Sequence, residues 1–252
     1  MSTNKIDTYR DNIMAVLQTA FDTQQEKMNK AALKMSEACL NGHSIFSFGC
    51  SHAGLLALEL YYRSGGMANI NPIRPAGLCL DIDPATMTSE MERLPEYGRL
   101  IIDNTPVKAG DIIIIHSVSG RNTVTVDAAI RAREKGAYVI ALTNLNTSTQ
   151  VSSRHPSGKN LYQVADLVLD NCGCKGDASI AYDNFPDKVA PTSTAVGAAM
   201  LNAIVAQTVQ LVLDAGRIPP VFVSANLDGG DEHNKKMLSE YKKNIFYMGH
   251  MI

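Results

Sequence analysis

Two unbroken apolar runs restrict this chain more than any other feature. Residues 111–116 read Asp-Ile-Ile-Ile-Ile-His and residues 137–143 read Ala-Tyr-Val-Ile-Ala-Leu-Thr; between them, in residues 124–136, alanines and charges recur at helical spacing. A half-buried strand alternates apolar and polar side chains, whereas these runs are apolar on both faces, so the sheet they form must be covered by helices on both sides. Strand, helix and strand in that pattern make the crossover unit of a parallel sheet. Residues 44–49 and 165–170 are further runs of the same kind. The reading is an α/β fold, a doubly wound parallel sheet with helices on both faces.

The rest of the chain is helix and loop. Residues 7–40 carry Ile13, Leu17, Phe21, Met28, Met35 and Cys39 near a helical period and predict one long amphipathic helix or a pair. Residues 192–214 predict a second long helix, closed by Pro219-Pro220. Its apolar stretch contains Asn202, Gln207, Gln210 and Asp214, so it reads as a buried helix and not a membrane span. Residues 71–104 and 144–160, rich in Pro, Asn, Ser and Thr, read as loops with short helices. With 252 residues and no repeat or linker, the expectation is a single domain over 1–252 whose core needs neither metal nor disulfide. Twenty-three basic residues against twenty-five acidic leave no field to attract nucleic acid or an anionic membrane. Five cysteines and an N-terminus without a basic-then-apolar run place the chain in the cytoplasm.

In a doubly wound sheet the ligand lies beyond the carboxyl ends of the strands. After the strand ending at His116 come Ser117, Ser119, Gly120, Arg121, Asn122 and Thr123, then a helix. Serines and free amides at a helix N-terminus suit a phosphate monoester; the plainer alternative is that Ser119 or Asn122 only caps the helix. The turn after residue 48, Gly49-Cys50-Ser51-His52-Ala53-Gly54, is also rich in small residues. It lacks the third glycine of a dinucleotide fingerprint and the Gly-Lys-Ser/Thr of a P-loop, so no nucleotide cofactor is expected, and no other cofactor.

Residues 110–144, GDIIIIHSVSGRNTVTVDAAIRAREKGAYVIALTN, resemble the central part of a SIS (sugar isomerase) domain. The resemblance extends to residues 59–66, 153–159, 170–173, 191–194 and 228–234, which are similar to single-domain SIS proteins of the phosphosugar and phosphoheptose isomerase type. It implies a flavodoxin-like five-stranded sheet and an N-terminal helical segment at about 5–40. It implies a sugar phosphate as ligand, held by Ser117, Ser119 and Asn122 with Gly120, Thr123 and the cation of Arg121. Ser51, displaced by two positions from the family's serine, is the sugar contact.

The implied reaction is aldose–ketose isomerisation through an enediol, which needs a base near the C2 proton and an acid at the oxygen. Glu59 is the candidate base, unless it only pairs with Arg63 at i, i+4. His52, in the first turn, and His233, near the C-terminus, are the other catalytic candidates. His233 is either delivered from a neighbouring subunit or is a solvated member of a helix-start cluster capped by Asp231. The alternative functions are a SIS-type lyase or etherase on an amino-sugar phosphate and a non-catalytic sugar-phosphate sensor.

His116 and His155 read as local structure, Arg154 and Lys159 as lining for an anion pocket, and Cys50 as a small filler. Cys172 and Cys174 form a single pair, and Asp231, Glu232 and His233 are consecutive, so no metal site is expected. The apolar faces of the two long helices predict a homodimer or homotetramer.

Overall fold

A computed structural model describes residues 4–248. Five strands, β1 (Ile45–Gly49), β2 (Ile70–Ile73), β3 (Ile112–His116), β4 (Tyr138–Thr143) and β5 (Leu167–Asp170), form one parallel sheet in the order β2-β1-β3-β4-β5. The order reverses between β1 and β3, so the turns that follow these two strands open on the same crevice.

The isoleucine run explains the layering. Ile112 and Ile114 point into one core with Ile45 and Leu142, and Ile113 and Ile115 point into the other with Phe46 and Phe48. The first core is covered by α1 (Lys5–Leu40) and α8 (Ser193–Asp214). The second is covered by α4 (Tyr97–Asp103), α5 (Thr123–Glu134) and α7 (Leu161–Val164). Short helices α2 (Leu55–Glu59), α3 (Met87–Met91) and α6 (Leu145–Ser148) lie in the connections, and α9 (Gly230–Tyr241) follows α8.

Two parts differ from the sequence reading. Residues 70–73, Ile-Asn-Pro-Ile, begin a stretch read as loop but form β2. Pro72 cannot donate to a ladder, and an edge strand is where a sheet tolerates that. Residues 178–182 and 185–191 form an antiparallel hairpin, β6 (Ala178–Tyr182) and β7 (Phe185–Pro191), which no apolar run announces because most of its side chains are exposed. The hairpin lies along the first half of α1: Lys5 donates to Ala181 O at 3.0 Å, Tyr9 to Pro191 O at 3.0 Å and Asn12 to Ser179 O at 3.1 Å.

The N-terminal segment is one helix, and its buried positions begin at Ala20. By length and composition α8 is able to cross a membrane. Here its face at Val196, Met200, Ile204 and Val212 is buried in the first core. Asp177 holds its start, accepting from the amides of Thr192 at 3.1 Å and Ser193 at 2.8 Å. Its end is set by Gly216, in the left-handed region (φ 72°), ahead of the prolines.

Between α4 and α5 the backbones nearly touch. A Cβ on Gly98 would overlap Val124 O and lie 2.6 Å from Asp127 Cβ, so only glycine seats α4 against the first turn of α5.

Candidate functional site

The turn at residues 117–123 leaves β3 and enters α5 as an anion cradle. Its carbonyls are occupied from behind: Val118 O accepts from Asn144 N and Thr143 Oγ1, both at 3.1 Å, and Gly120 O from Leu161 N at 2.8 Å. Gly120 adopts φ 61° and packs so closely that a Cβ would lie 2.9 Å from Ser148 Oγ. The carbonyls of Val118 and Gly120 are thus committed within the protein. Among the described residues, the amides of Ser119, Arg121, Asn122 and Thr123 have no acceptor, and neither does the Ser119 hydroxyl. Ser117 Oγ accepts from Gly120 N at 3.1 Å and keeps its own proton to donate. Free amides at the start of a 12-residue helix, with hydroxyls beside them, favour an anion through hydrogen bonding and the helix dipole together.

Asn122, which the resemblance makes a phosphate ligand, is also bonded within the protein. It stands at the N-cap position without a side-chain cap bond. Its Nδ2 donates to Glu92 Oε2, and its Oδ1 accepts from Arg154 Nη1 at 2.7 Å. One Nδ2 proton and Oδ1 are thus engaged, which leaves the second Nδ2 proton and the backbone N–H of Asn122 to donate to a phosphate. Arg121 is likewise anchored, through Nε on Ser152 O at 2.9 Å and Nη2 on Ser152 Oγ at 3.2 Å, which leaves Nη1 to face an anion. Thr123 is buried and gives its hydroxyl to Arg154 O at 3.3 Å. Burial, with the guanidiniums of Arg121 and Arg93 nearby, pushes the pKa of Arg154 down.

The first turn runs through a 3-10 segment, Ser51–Gly54, before α2. Gly49 is required there, because a Cβ would sit 2.6 Å from the backbone of Ala53. Ser51 lies in the left-handed region at φ 51° and donates from Oγ to Glu92 Oε1 at 2.7 Å. Its hydroxyl proton is therefore engaged within the protein, and a sugar contact at Ser51 would be made through the oxygen lone pairs. His52 is exposed in the same turn. Cys50 is buried, which drives its thiol pKa well up and leaves it a neutral filler.

Two candidates, Glu59 and His233, make contacts of their own. The Glu59 carboxylate is held by Arg63 and by Asn202 Nδ2 of α8 at 2.9 Å, the ion-pair alternative read from the i, i+4 spacing. His233 lies on α9 with Nε2 3.2 Å from Val221 O, and Val221 bridges to Met67, three residues ahead of β2. That is the amino end of the sheet, opposite the crevice. Asn71 fixes the C-terminal segment there, donating to Asn244 O at 2.9 Å and accepting from Phe246 N at 2.8 Å. The cap of α9 is Gly229 rather than Asp231.

His155 and His116 are bonded within the protein. His155 bridges Asp127 at 2.9 Å and Ser157 at 2.8 Å. His116, wholly buried, meets Ser47 Oγ at 2.8 Å through Nε2. Burial lowers its pKa to about 3, so it stays neutral. Of the two residues read as anion-pocket lining, Arg154 reaches the cradle, whereas Lys159 lines a separate groove with Arg133, Glu134 and Ser157.

Sequence reasoning missed Glu92. It lies just past α3, in a stretch read as loop, and its only sequence signal is a carboxylate shortly after an unrecognised strand. A groove of about 540 Å³ also opens at the β2 edge between Phe46, Arg74, Tyr97 and Phe246, and among the described residues no carboxylate or imidazole lines it. The crevice with its amides and Glu92 is the candidate site.

Comparison with known proteins gives the family and the fold. The sequence profile described as SIS domain matches residues 8–144. A UPF0309 protein of Shouchella clausii (strain KSM-K16) is 46% identical over 96% of this chain and 99% of its own length. One from Oceanobacillus iheyensis is 46% identical over 95% and 98%. Among solved structures, a phosphoheptose isomerase from Francisella tularensis superposes with TM-score 0.53 at 18% identity, covering 83% of this chain and 99% of that one. Another from Neisseria gonorrhoeae gives 0.52 at 16% identity, covering 81% and 96%. At these identities the likeness is one of fold.

Proposed function

Because this chain belongs to the SIS domain family, we propose that it binds a sugar phosphate in the turn at residues 117–123 and interconverts its aldose and ketose forms through an enediol. The observation that carries this reading is the row of unpaired amides at Ser119, Arg121, Asn122 and Thr123 beside the free hydroxyl of Ser119. Four N–H groups converging at a helix start match the oxygens of a phosphate monoester better than any uncharged group. The crevice between the two turns leaves the sugar carbons beside the first turn, where a carboxylate stands.

The test follows the C2 proton. The protein is incubated in D2O with a panel of pentose, hexose, hexosamine and heptose phosphates, and the C2 signal is read by proton NMR. Loss of that signal with appearance of the ketose is the expected result for one member. The same sugar, at about a hundred times its dissociation constant, should add roughly 2.7 kcal/mol of stability, a melting shift on the order of 5–10 °C. A sugar phosphate that raises the melting temperature without exchange or conversion would replace the isomerase reading with that of a sensor.

We also propose that the chain works as a homodimer or homotetramer. Ile6, Met14 and Phe21 on α1 and Tyr182 and Phe185 on the neighbouring hairpin are exposed, more apolar side chain than an arm in water should carry. His233, remote from its own turns, would in such an assembly serve a neighbour's site. Light scattering at micromolar concentration should give at least twice 27.2 kDa, and a species of 27.2 kDa would remove both the assembly and that role for His233.

A further inference from the structure

Glu92 is tied into the crevice three times over. Its backbone carbonyl accepts from Val124 N at 3.2 Å, in the first turn of α5. Its Oε1 accepts from Ser51 Oγ at 2.7 Å, and its Oε2 from Asn122 Nδ2. One carboxylate thus joins the two turns on either side of the point where the strand order reverses, each turn supplying a donor.

Three features separate it from an acid that only braces loops. Its side-chain hydrogen-bond donors are a neutral hydroxyl and a neutral amide, with no ion pair among the described residues, in contrast to Glu59, which is paired with Arg63; Arg154, held by the same Asn122, is near enough to feel the charge. Each carboxylate oxygen has two lone pairs, and the two bonds leave capacity on both to take a proton. Ser51 reaches it from a left-handed backbone (φ 51°) that a serine adopts at a cost, and such strain is retained where a side chain must be aimed. On the far side Arg154 holds Asn122 Oδ1 at 2.7 Å, which fixes the orientation of the amide that presents its N–H₂ to Glu92.

We propose that Glu92 is the catalytic base that moves the proton between C2 and C1, with Ser51 and Asn122 as positioning residues. This rests on the sugar-phosphate reading above. With phosphate on the amides of Ser119, Arg121, Asn122 and Thr123, the chain of an open-form sugar extends from the second turn toward the first and passes the carboxylate that spans them. The Glu92 carboxylate takes the C2 proton; the C–H electron pair becomes the C1–C2 double bond, and the carbonyl pair moves to O1, which takes up a proton from water. In the second half O2 gives its proton to water, the C2–O2 double bond forms, and the enediol C1 takes back the proton held by Glu92. No redox partner or metal is needed for the balance.

The experiment is C2-proton exchange in D2O, with the panel member that the wild type exchanges, measured beside the melting shift that sugar produces. Glu92→Gln keeps the size of the side chain, with Oε1 accepting from Asn122 Nδ2 and Nε2 donating to Ser51 Oγ, and should retain the melting shift while lowering exchange by about 10²- to 10⁴-fold. Glu92→Asp keeps the charge but withdraws the carboxylate by about 1 Å, and should lower exchange by about 10²-fold at unchanged KM. The aspartate variant carries the test should the glutamine variant fail to fold. Exchange near the wild-type rate in Glu92→Gln overturns the assignment, as does loss of exchange in Glu59→Gln alone; both leave the isomerase reading standing. A wild type that binds the panel and exchanges nothing overturns the isomerase reading and the role of Glu92 together.

Discussion

Gly98→Ala should lower the melting temperature by on the order of 10 °C and weaken sugar-phosphate binding with it. The added Cβ would overlap the carbonyl oxygen of Val124 and press on Asp127, and both belong to the backbone and first two turns of α5 rather than to a flexible side-chain end. Overpacking of this kind costs about 1–3 kcal/mol and more when the obstacle is backbone, and in a chain of this size each kcal/mol is worth roughly 2–4 °C. The same push is transmitted to the site, because Val124 N is the donor to Glu92 O and the next residues upstream are the cradle itself. Thermal melts with and without inorganic phosphate check it. A variant that melts within about 2 °C of the wild type would show that α4 can shift away without cost.

The second large effect is acid sensitivity through His116. Its folded pKa is about 3 because burial excludes the charged ring, whereas an unfolded chain protonates it near 6.5. Above pH 6.5 neither state carries the proton. As the pH falls below 6.5 the unfolded chain binds a proton that the folded one refuses until about pH 3, so stability is lost progressively across that window. At pH 4.5 the loss amounts to roughly 2–3 kcal/mol from this residue. His116→Gln removes the titration and keeps a partner for Ser47 Oγ. Its drop in melting temperature between pH 7 and pH 4.5 should be smaller than that of the wild type by about 5–10 °C. Parallel curves for the two proteins would mean that another group governs the acid limb.

The sheet was legible where its strands were apolar on both faces, because that pattern has few other solutions: 112–116 and 138–143 were read nearly to the residue. β2 was hidden by its brevity and by Pro72, and the hairpin by its exposure, since neither shows the alternation or continuity that burial imposes on a strand. The cradle was legible as a serine-rich turn between strand and helix. What its side chains do was not, because Asn122 is engaged by residues 30 and 32 positions away. Glu92 and Ser51 are separated by 41 residues, and only the reversal of strand order brings them together. Glu59 shows the converse: its spacing from Arg63 announced a local pair, and a local pair is what forms.

The arm built from the first half of α1 and the β6–β7 hairpin sets a timetable for folding. Lys5, Tyr9 and Asn12 find their partners at Ala181, Pro191 and Ser179, separations of 167 to 182 residues. Closing so long a loop is entropically slow, and during synthesis it is impossible until residue 191 of 252 has left the ribosome. Until then the opening stretch of the chain has only its own helical propensity to rely on, and an isolated helix of that length is marginal in water. The first half of α1 is therefore among the last parts to be secured, and until the hairpin is made Ile6, Met14 and Phe21 are open to whatever else can cover them.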